Sequence, residues 1–131
     1  MKLLHVTIQT SRFEEEIAFY RDIAGLSVER DMRPAGRSIV FLSDAAGDTC
    51  IEIIGAPGAS ACNAPDLSIG FKTEDAPALR EKLAAQGLEP TPMIEPGLGV
   101  RFFFVRDPAG LRVQFMGLRN VSEGSRRKSS G

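Results

Sequence analysis

The chain has a single histidine, His5, in the alternating run Leu4-His5-Val6-Thr7-Ile8. Period-two alternation sends successive side chains to opposite faces of a strand. With Leu4, Val6 and Ile8 on the apolar face, His5 and Thr7 point the other way. The run Cys50-Ile51-Glu52-Ile53-Ile54 reads the same way, with Ile51 and Ile53 toward a core and Cys50, Glu52 and Ile54 facing away. Two later strands repeat the pattern. Leu67, Ile69 and Phe71 turn inward and Ser68 and Gly70 outward; Val113 and Phe115 turn inward and Arg112, Gln114 and Met116 outward. An imidazole nitrogen and a carboxylate oxygen on non-core faces make half of a divalent-metal site, of a kind that suits Zn, Ni, Fe or Mn. A carboxylate flanked by three isoleucines needs a partner, because charged groups are seldom buried unpaired. For Glu52 that partner would be His5, a cation, Gln114, or water in a ligand pocket. Ser68 and Gln114 read as hydrogen-bonding residues that line a pocket, and Cys50 as a small residue on the same face as Glu52. Arg112, with Arg101 on the neighbouring strand, either meets an anionic substrate or is a solvated edge charge.

The elements that position these residues occur twice. The opening strand Leu4–Thr10 and the strand Leu67–Thr73 lie 63 residues apart. Each is followed by a helix pattern. In the first, Ser11 and Glu14 have capping-box spacing, Phe13, Ile17, Phe19 and Tyr20 form the stripe, and Gly25 ends it. The run Glu14-Glu15-Glu16 suits the start of a helix, where negative charge is favoured. In the second, Glu74-Asp75 lead, Pro77 fits only a first turn, Leu79, Leu83 and Ala84 form the stripe, and Gly87 ends it. Three strands are expected after each helix, at about 26–32, 37–43 and 49–55 and at about 88–94, 100–106 and 111–117. The Asp44-Ala45-Ala46-Gly47 turn matches Asp107-Pro108-Ala109-Gly110 at the same offset of 63. Phe102, Phe103, Phe104 and Val105 read as core and strand residues. Residues 56–66, rich in Ala, Gly and Pro, read as a linker. The expected organisation is α+β: two paired βαβββ modules (1–55 and 67–117) forming a curved mixed sheet with helices outside, one domain over 1–117, and a flexible tail over 118–131. Neither module could bury its sheet alone, so they must pair within the chain or by exchange between two chains.

The 131 residues carry 16 Lys+Arg and 17 Asp+Glu, a net charge of −1, and 43% are hydrophobic. These are the proportions of one globular domain. No apolar run reaches the ~18–20 residues that span a bilayer, and the N-terminus lacks the pattern of a secretory signal. A near-zero charge argues against a nucleic-acid partner. The basic cluster Arg126-Arg127-Lys128 lies in the Ser/Gly-rich tail. Two cysteines, Cys50 and Cys62, make no disulfide framework, which fits a reduced cytoplasmic location.

The duplicated pattern, carried most strongly by LLHVTIQTSRFEEEIAFYRDIAGLSVE at the start and FFVRDPAGLRVQFM at the end, resembles the vicinal oxygen chelate superfamily of glyoxalase I, bleomycin- and fosfomycin-resistance proteins and extradiol dioxygenases. The resemblance covers residues 2–117. It implies metal ligands on the first, fourth, fifth and eighth strands: His5 and Glu52 match the first two, while Ser68 stands where a His is usual and Gln114 where a Glu is usual. It thus implies His5, Glu52 and Gln114 as metal ligands and Glu52 as the catalytic base, since an amide moves no proton. Lewis-acid polarisation and a positioned base are both needed for glyoxalase I chemistry, so Ser68 and Gln114 argue against that activity and against an extradiol dioxygenase. Two readings follow. One is a metal-assisted lyase or dioxygenase acting on a small organic molecule in a concave sheet pocket lined by Ser68, Gln114, Cys50 and Arg112, with Zn, Ni, Fe or Mn. The other is a metal-free small-molecule binding module of the sequestration or resistance kind. The resemblance further implies a homodimer.

Overall fold

Strand β1 (His5–Thr10) and strand β4 (Cys50–Gly55) pair in parallel, and β3 (Ile39–Ser43) and β2 (Ser27–Asp31) extend the sheet antiparallel in the order β1-β4-β3-β2. This is how the first half of the chain is built in the computed structural model, which describes residues 1–97 and 99–119. The second half repeats the plan: β5 (Ser68–Lys72) pairs in parallel with β7 (Arg112–Leu118), and β6 (Val100–Arg106) pairs antiparallel with β7. Helix α1 (Phe13–Ala18) runs into a π-helical turn over Phe19–Ile23, and α2 spans Ala76–Ala85. The fold is α+β, with one mixed sheet of four strands and one of three.

The expected strand at 88–94 is not a strand. Pro90 and Pro92 lack the N–H that a ladder needs, so the segment follows β6 only through Thr91 and Ile94. Thr91 N–H donates to the Phe104 carbonyl at 2.9 Å, and Ile94 exchanges bonds with Phe102 at 2.8 and 3.0 Å. Seven strands form among the described residues. The Arg126-Arg127-Lys128 cluster and the rest of residues 120–131 lie outside the described residues, whereas β7 runs through Leu118.

Two further expectations need correction. Ser11 makes no cap; the buried Thr10 hydroxyl accepts the Arg12 N–H at 3.0 Å, and Glu14 turns outward to Arg33 at 3.3 Å. A threonine at the strand end reaches the helix start before the serine can. Leu4, Val6 and Leu67, expected in the core, are exposed at 67%, 39% and 56%. Val6 lies on the edge strand β1, and Leu4 and Leu67 lie just before the edge strands β1 and β5, where a strand has a neighbour on one side only. Ile8, Ile51, Ile53, Val113 and Phe115 are buried as the alternation requires. The second helix behaves as read: the Asp75 carboxylate accepts the Ala78 N–H at 3.0 Å, Pro77 sits in the first turn, and Gly87 follows at φ +86°.

By its contacts the chain forms two compact units: Met1–Asn63 with Asp107–Leu111, and Ala64–Arg106 with Arg112 onward. The Asp107–Leu111 turn therefore belongs with α1, and buried polar groups hold it there. The Tyr20 hydroxyl donates to Asp107 Oδ2 at 2.7 Å, and Glu16 Oε1 accepts the Ala109 N–H at 3.0 Å. Asp107 Oδ1 accepts the Leu111 N–H at 2.9 Å, closing the turn on itself, and the Cys62 N–H donates to the Ala109 carbonyl at 2.7 Å. Gly110, at φ +98°, lets the backbone of Cys62 approach; a Cβ there would lie 3.2 Å from the Cys62 carbonyl oxygen. Glu16 is wholly buried, and among the described residues its Oε2 has no hydrogen-bond partner. Burial first, and the adjacent Asp107 carboxyl second, push Glu16 up to about 9, partly opposed by the Ala109 N–H. Burial also drives the Tyr20 phenol upward, with Asp107 adding to it.

A carboxyl raised in the folded state stabilises most below its unfolded value of 4.5, and its contribution declines as pH climbs to about 9. The Glu16→Gln variant keeps an acceptor for Ala109 without a titrating group. Urea unfolding across this range is expected to show wild type losing stability relative to Glu16→Gln as pH rises from 5 to 9, with the difference levelling above 9. A pH-independent difference would contradict the buried neutral acid.

Candidate functional site

The parallel register of β1 and β4 sets His5 opposite Cys50 and Thr7 opposite Glu52. On the resulting face, His5 Nε2 lies 3.4 Å from Glu52 Oε1, and the Thr7 hydroxyl donates to that same oxygen at 2.6 Å. The structure thus brings His5 and Glu52 together, as alternation suggests. Glu52 keeps 14% of its side-chain surface exposed and His5 34%. The carboxylate is therefore mostly withdrawn from water and depends on these two neighbours. From β3, Phe41 pairs with Glu52 in register and presents its ring edge-on to His5, with centroids 5.9 Å apart. Cys50 is half-buried on this face with a free thiol.

The second unit carries the equivalent register. Ser68 sits opposite Arg112, and Gly70 opposite Gln114. Each of these four is offset by 62 or 63 residues from its counterpart among His5, Cys50, Thr7 and Glu52. The chemistry differs. Where Thr7 grips a carboxylate, Gly70 lies under an amide; a Cβ at Gly70 would stand 3.1 Å from Gln114 Oε1. Gly70, Gln114, Met116 and Leu118 line a largely apolar cavity of about 430 Å³. Ser68 is exposed. The Arg112 guanidinium stacks 4.2 Å above the Phe104 ring and donates to the Pro65 carbonyl at 3.1 Å. Arg112 is thus a held, half-buried cation, not a free edge charge.

Sequence reasoning missed Thr7 as the partner of Glu52, although it placed Thr7 on the right face. A hydroxyl two residues along from a histidine on one strand face was the available signal. Residues 102–105, expected as core and strand, all lie in β6, and of them Phe103 and Val105 are buried; Phe102 and Phe104 stand on the opposite face with their rings near-perpendicular at 5.8 Å.

The donor set can be judged on its chemistry. Catalytic zinc sites usually take three protein ligands from His, Cys, Asp and Glu. Among the described residues no three such side chains gather. The repeat-related positions Ser68 and Gln114 offer a neutral hydroxyl and an amide, both weak donors for a transition metal. The residues present do not fit a resident transition-metal ion.

A sequence profile of the Glyoxalase/Bleomycin resistance protein/Dioxygenase superfamily matches residues 2–115. The chain belongs to this superfamily. Solved structures carry the same fold. Glyoxalase I of Leishmania major, described as trypanothione-dependent, is 20% identical, with 99% of this chain and 94% of that one covered at a TM-score of 0.70. The genomically encoded fosfomycin resistance protein FosX of Listeria monocytogenes is 17% identical, with 92% and 96% covered at 0.70. A glyoxalase family protein of Enterococcus faecalis is 26% identical, with 88% and 96% covered at 0.67. No curated protein matches. No described helix of this superfamily member is long and apolar enough to cross a membrane.

The glycine under Gln114 gives a direct check. In a Gly70→Ala variant the new methyl meets only the tip of a flexible side chain, so stability should change by no more than about 0.5 kcal/mol. The Gln114 carboxamide should move, seen as a shift of its side-chain NH2 resonances. An unmoved amide would show that Gly70 does not set its position.

Proposed function

We propose that this superfamily member is a metal-free small-molecule binding module, with the His5–Glu52–Thr7 cluster as its polar anchor. The observation that carries the reading is the Glu52 carboxylate, already engaged by the Thr7 hydroxyl at 2.6 Å and faced by His5 at 3.4 Å. Such a carboxylate is satisfied without a metal. It also keeps acceptor capacity for an N–H or O–H of a ligand, since an ionised carboxylate offers about four lone-pair sites. His5 holds the second polar position, steadied by the edge of Phe41. The ligand class is a small organic molecule with a hydrogen-bond donor on an apolar or aromatic body. Cys50 is assigned to lining beside this anchor and Glu52 to binding rather than proton transfer, while Ser68, Gln114 and Arg112 are assigned to lining within the second unit.

Two copies of the chain are proposed to associate. Leu3, Leu4, Val6 and Leu67 are exposed at or just before the edge strands, and exposed edge strands with apolar side chains favour pairing with another chain. Sedimentation should show a dimer that Val6→Glu weakens; a wild-type monomer at all concentrations would contradict this.

Function is tested on protein purified without chelator. Metal analysis is expected to find no stoichiometric metal. A panel of aromatic and glycopeptide ligands should yield one that raises the melting temperature. Its affinity should fall about tenfold or more in Glu52→Gln and His5→Ala, because a charged hydrogen-bond partner is worth ~1.5–3 kcal/mol. Stoichiometric Zn, Ni, Fe or Mn in wild type, lost in His5→Ala, would overturn the reading in favour of a metal-assisted enzyme.

A further inference from the structure

Two carboxyls are buried together beneath the Asp107–Leu111 turn, and neither serves the His5–Glu52 face. Glu16 is 0% exposed and Asp107 4%. Asp107 uses both oxygens as acceptors, Oδ2 for the Tyr20 hydroxyl and Oδ1 for the Leu111 N–H. Glu16 Oε1 accepts the Ala109 N–H. The Cys62 N–H adds a bond to the Ala109 carbonyl. These bonds hold the turn against α1 and the π-helical turn that follows it, and Ala109 and Leu111 are buried there.

Few charged groups face this pair. Asp107 from the turn and Arg12 from the start of the helix act on Glu16, and Asp107, Glu16 and Cys62 act on Tyr20. Arg12 is exposed and engages Glu15 at 2.9 Å. Arg106, next to Asp107 in the chain, is exposed. Among the described residues no Lys or Arg is buried. Two ionised carboxyls under the closed turn would therefore meet neutral donors only, in a place water does not reach. The closed turn requires a proton on the pair. Asp107 is the committed acceptor, so that proton belongs on Glu16. The Ala109 N–H favours an ionised Glu16, but burial and the Asp107 carboxyl outweigh it. When the turn lifts, Glu16 meets water and gives the proton up.

We propose that the Asp107–Leu111 turn is a proton-dependent latch: it stays closed on α1 while Glu16 holds its proton and opens locally as that proton is lost, with the strands of the unit intact. The latch is independent of what the His5–Glu52 face binds. Closure is tightest at low pH, because the closed state holds a proton that the open state releases. Linkage raises the opening constant about tenfold per pH unit between about 4.5, where a solvated Glu titrates, and about 9, where Glu16 titrates under the closed turn. Above that the constant levels off.

The test is amide hydrogen exchange in the full chain, read by NMR between about pH 5.5 and 8 and divided by the intrinsic rate of each amide to give protection. In wild type the Ala109 and Leu111 amides should lose about tenfold in protection per pH unit. Their protection should be lower than that of Ile51 and Ile53 in β4, and unchanged by urea below the unfolding transition, where a local opening exposes little surface. In Glu16→Gln the protection of Ala109 and Leu111 should not vary with pH. Tyr20→Phe, which removes the bond to Asp107 but no proton from Glu16, should lower their protection about tenfold or more and keep the wild-type pH slope. If wild-type protection of Ala109 and Leu111 is flat with pH, if Glu16→Gln keeps the wild-type slope, or if the two amides follow Ile51 and Ile53 in both size and urea dependence, the latch is overturned.

Discussion

The parallel pairing of the first and last strands of each unit is the constraint from which the rest of the structure follows. It sets Thr7 across from Glu52 and His5 across from Cys50 in one unit, and Gly70 across from Gln114 and Ser68 across from Arg112 in the other. Side chains alternate strictly along a strand, so a one-residue slip of β1 would send His5 into the apolar layer and Ile8 out of it, and a slip of β4 would do the same to Glu52 against Ile51 and Ile53. The burial of Ile8, Ile51 and Ile53 thus fixes which polar groups meet. Hydrophobic register, not any attraction between imidazole and carboxylate, brings the site together.

The two units share that geometry and have parted in chemistry. One holds a carboxylate between a hydroxyl and an imidazole; the other holds an amide above a glycine, with a guanidinium stacked on Phe104 nearby. An amide carries no charge to neutralise, so it tolerates an apolar surround that a second carboxylate would not. This divergence is why superfamily membership, plain from residues 2–115, settles the fold without settling the activity. The buried carboxyls elsewhere serve structure. Glu16 and Asp107 fasten the Asp107–Leu111 turn to the first helix, so that a segment between two strands of the second unit packs as part of the first.

Much of this was legible in the sequence because it rests on periodicity. The doubled strand–helix pattern, the matching turns and the outward placement of His5, Glu52, Ser68 and Gln114 all follow from spacing alone. The failures have physical causes. Pro90 and Pro92 remove ladder donors from a segment whose apolar spacing looks strand-like. Leu4, Val6 and Leu67 alternate correctly, yet lie on or just before edge strands, and alternation does not say whether anything covers a face. Glu16 reads as one of three helix-opening acids, because nothing local reveals that a turn more than 90 residues later closes over it. The partnership of Thr7 with Glu52 is a contact between strands, set by a register that one strand cannot disclose.

The central claim is that Glu52 and His5 act as a single polar anchor. Because the chain has one histidine, its imidazole nitrogen resonances are unambiguous. A comparison of those resonances in wild type and Glu52→Gln tests the claim most directly. The account predicts that the Nε2 signal moves when the carboxylate becomes an amide, while the backbone amides of β2 and β3 away from the site stay in place. Identical His5 ring spectra in the two proteins would contradict it.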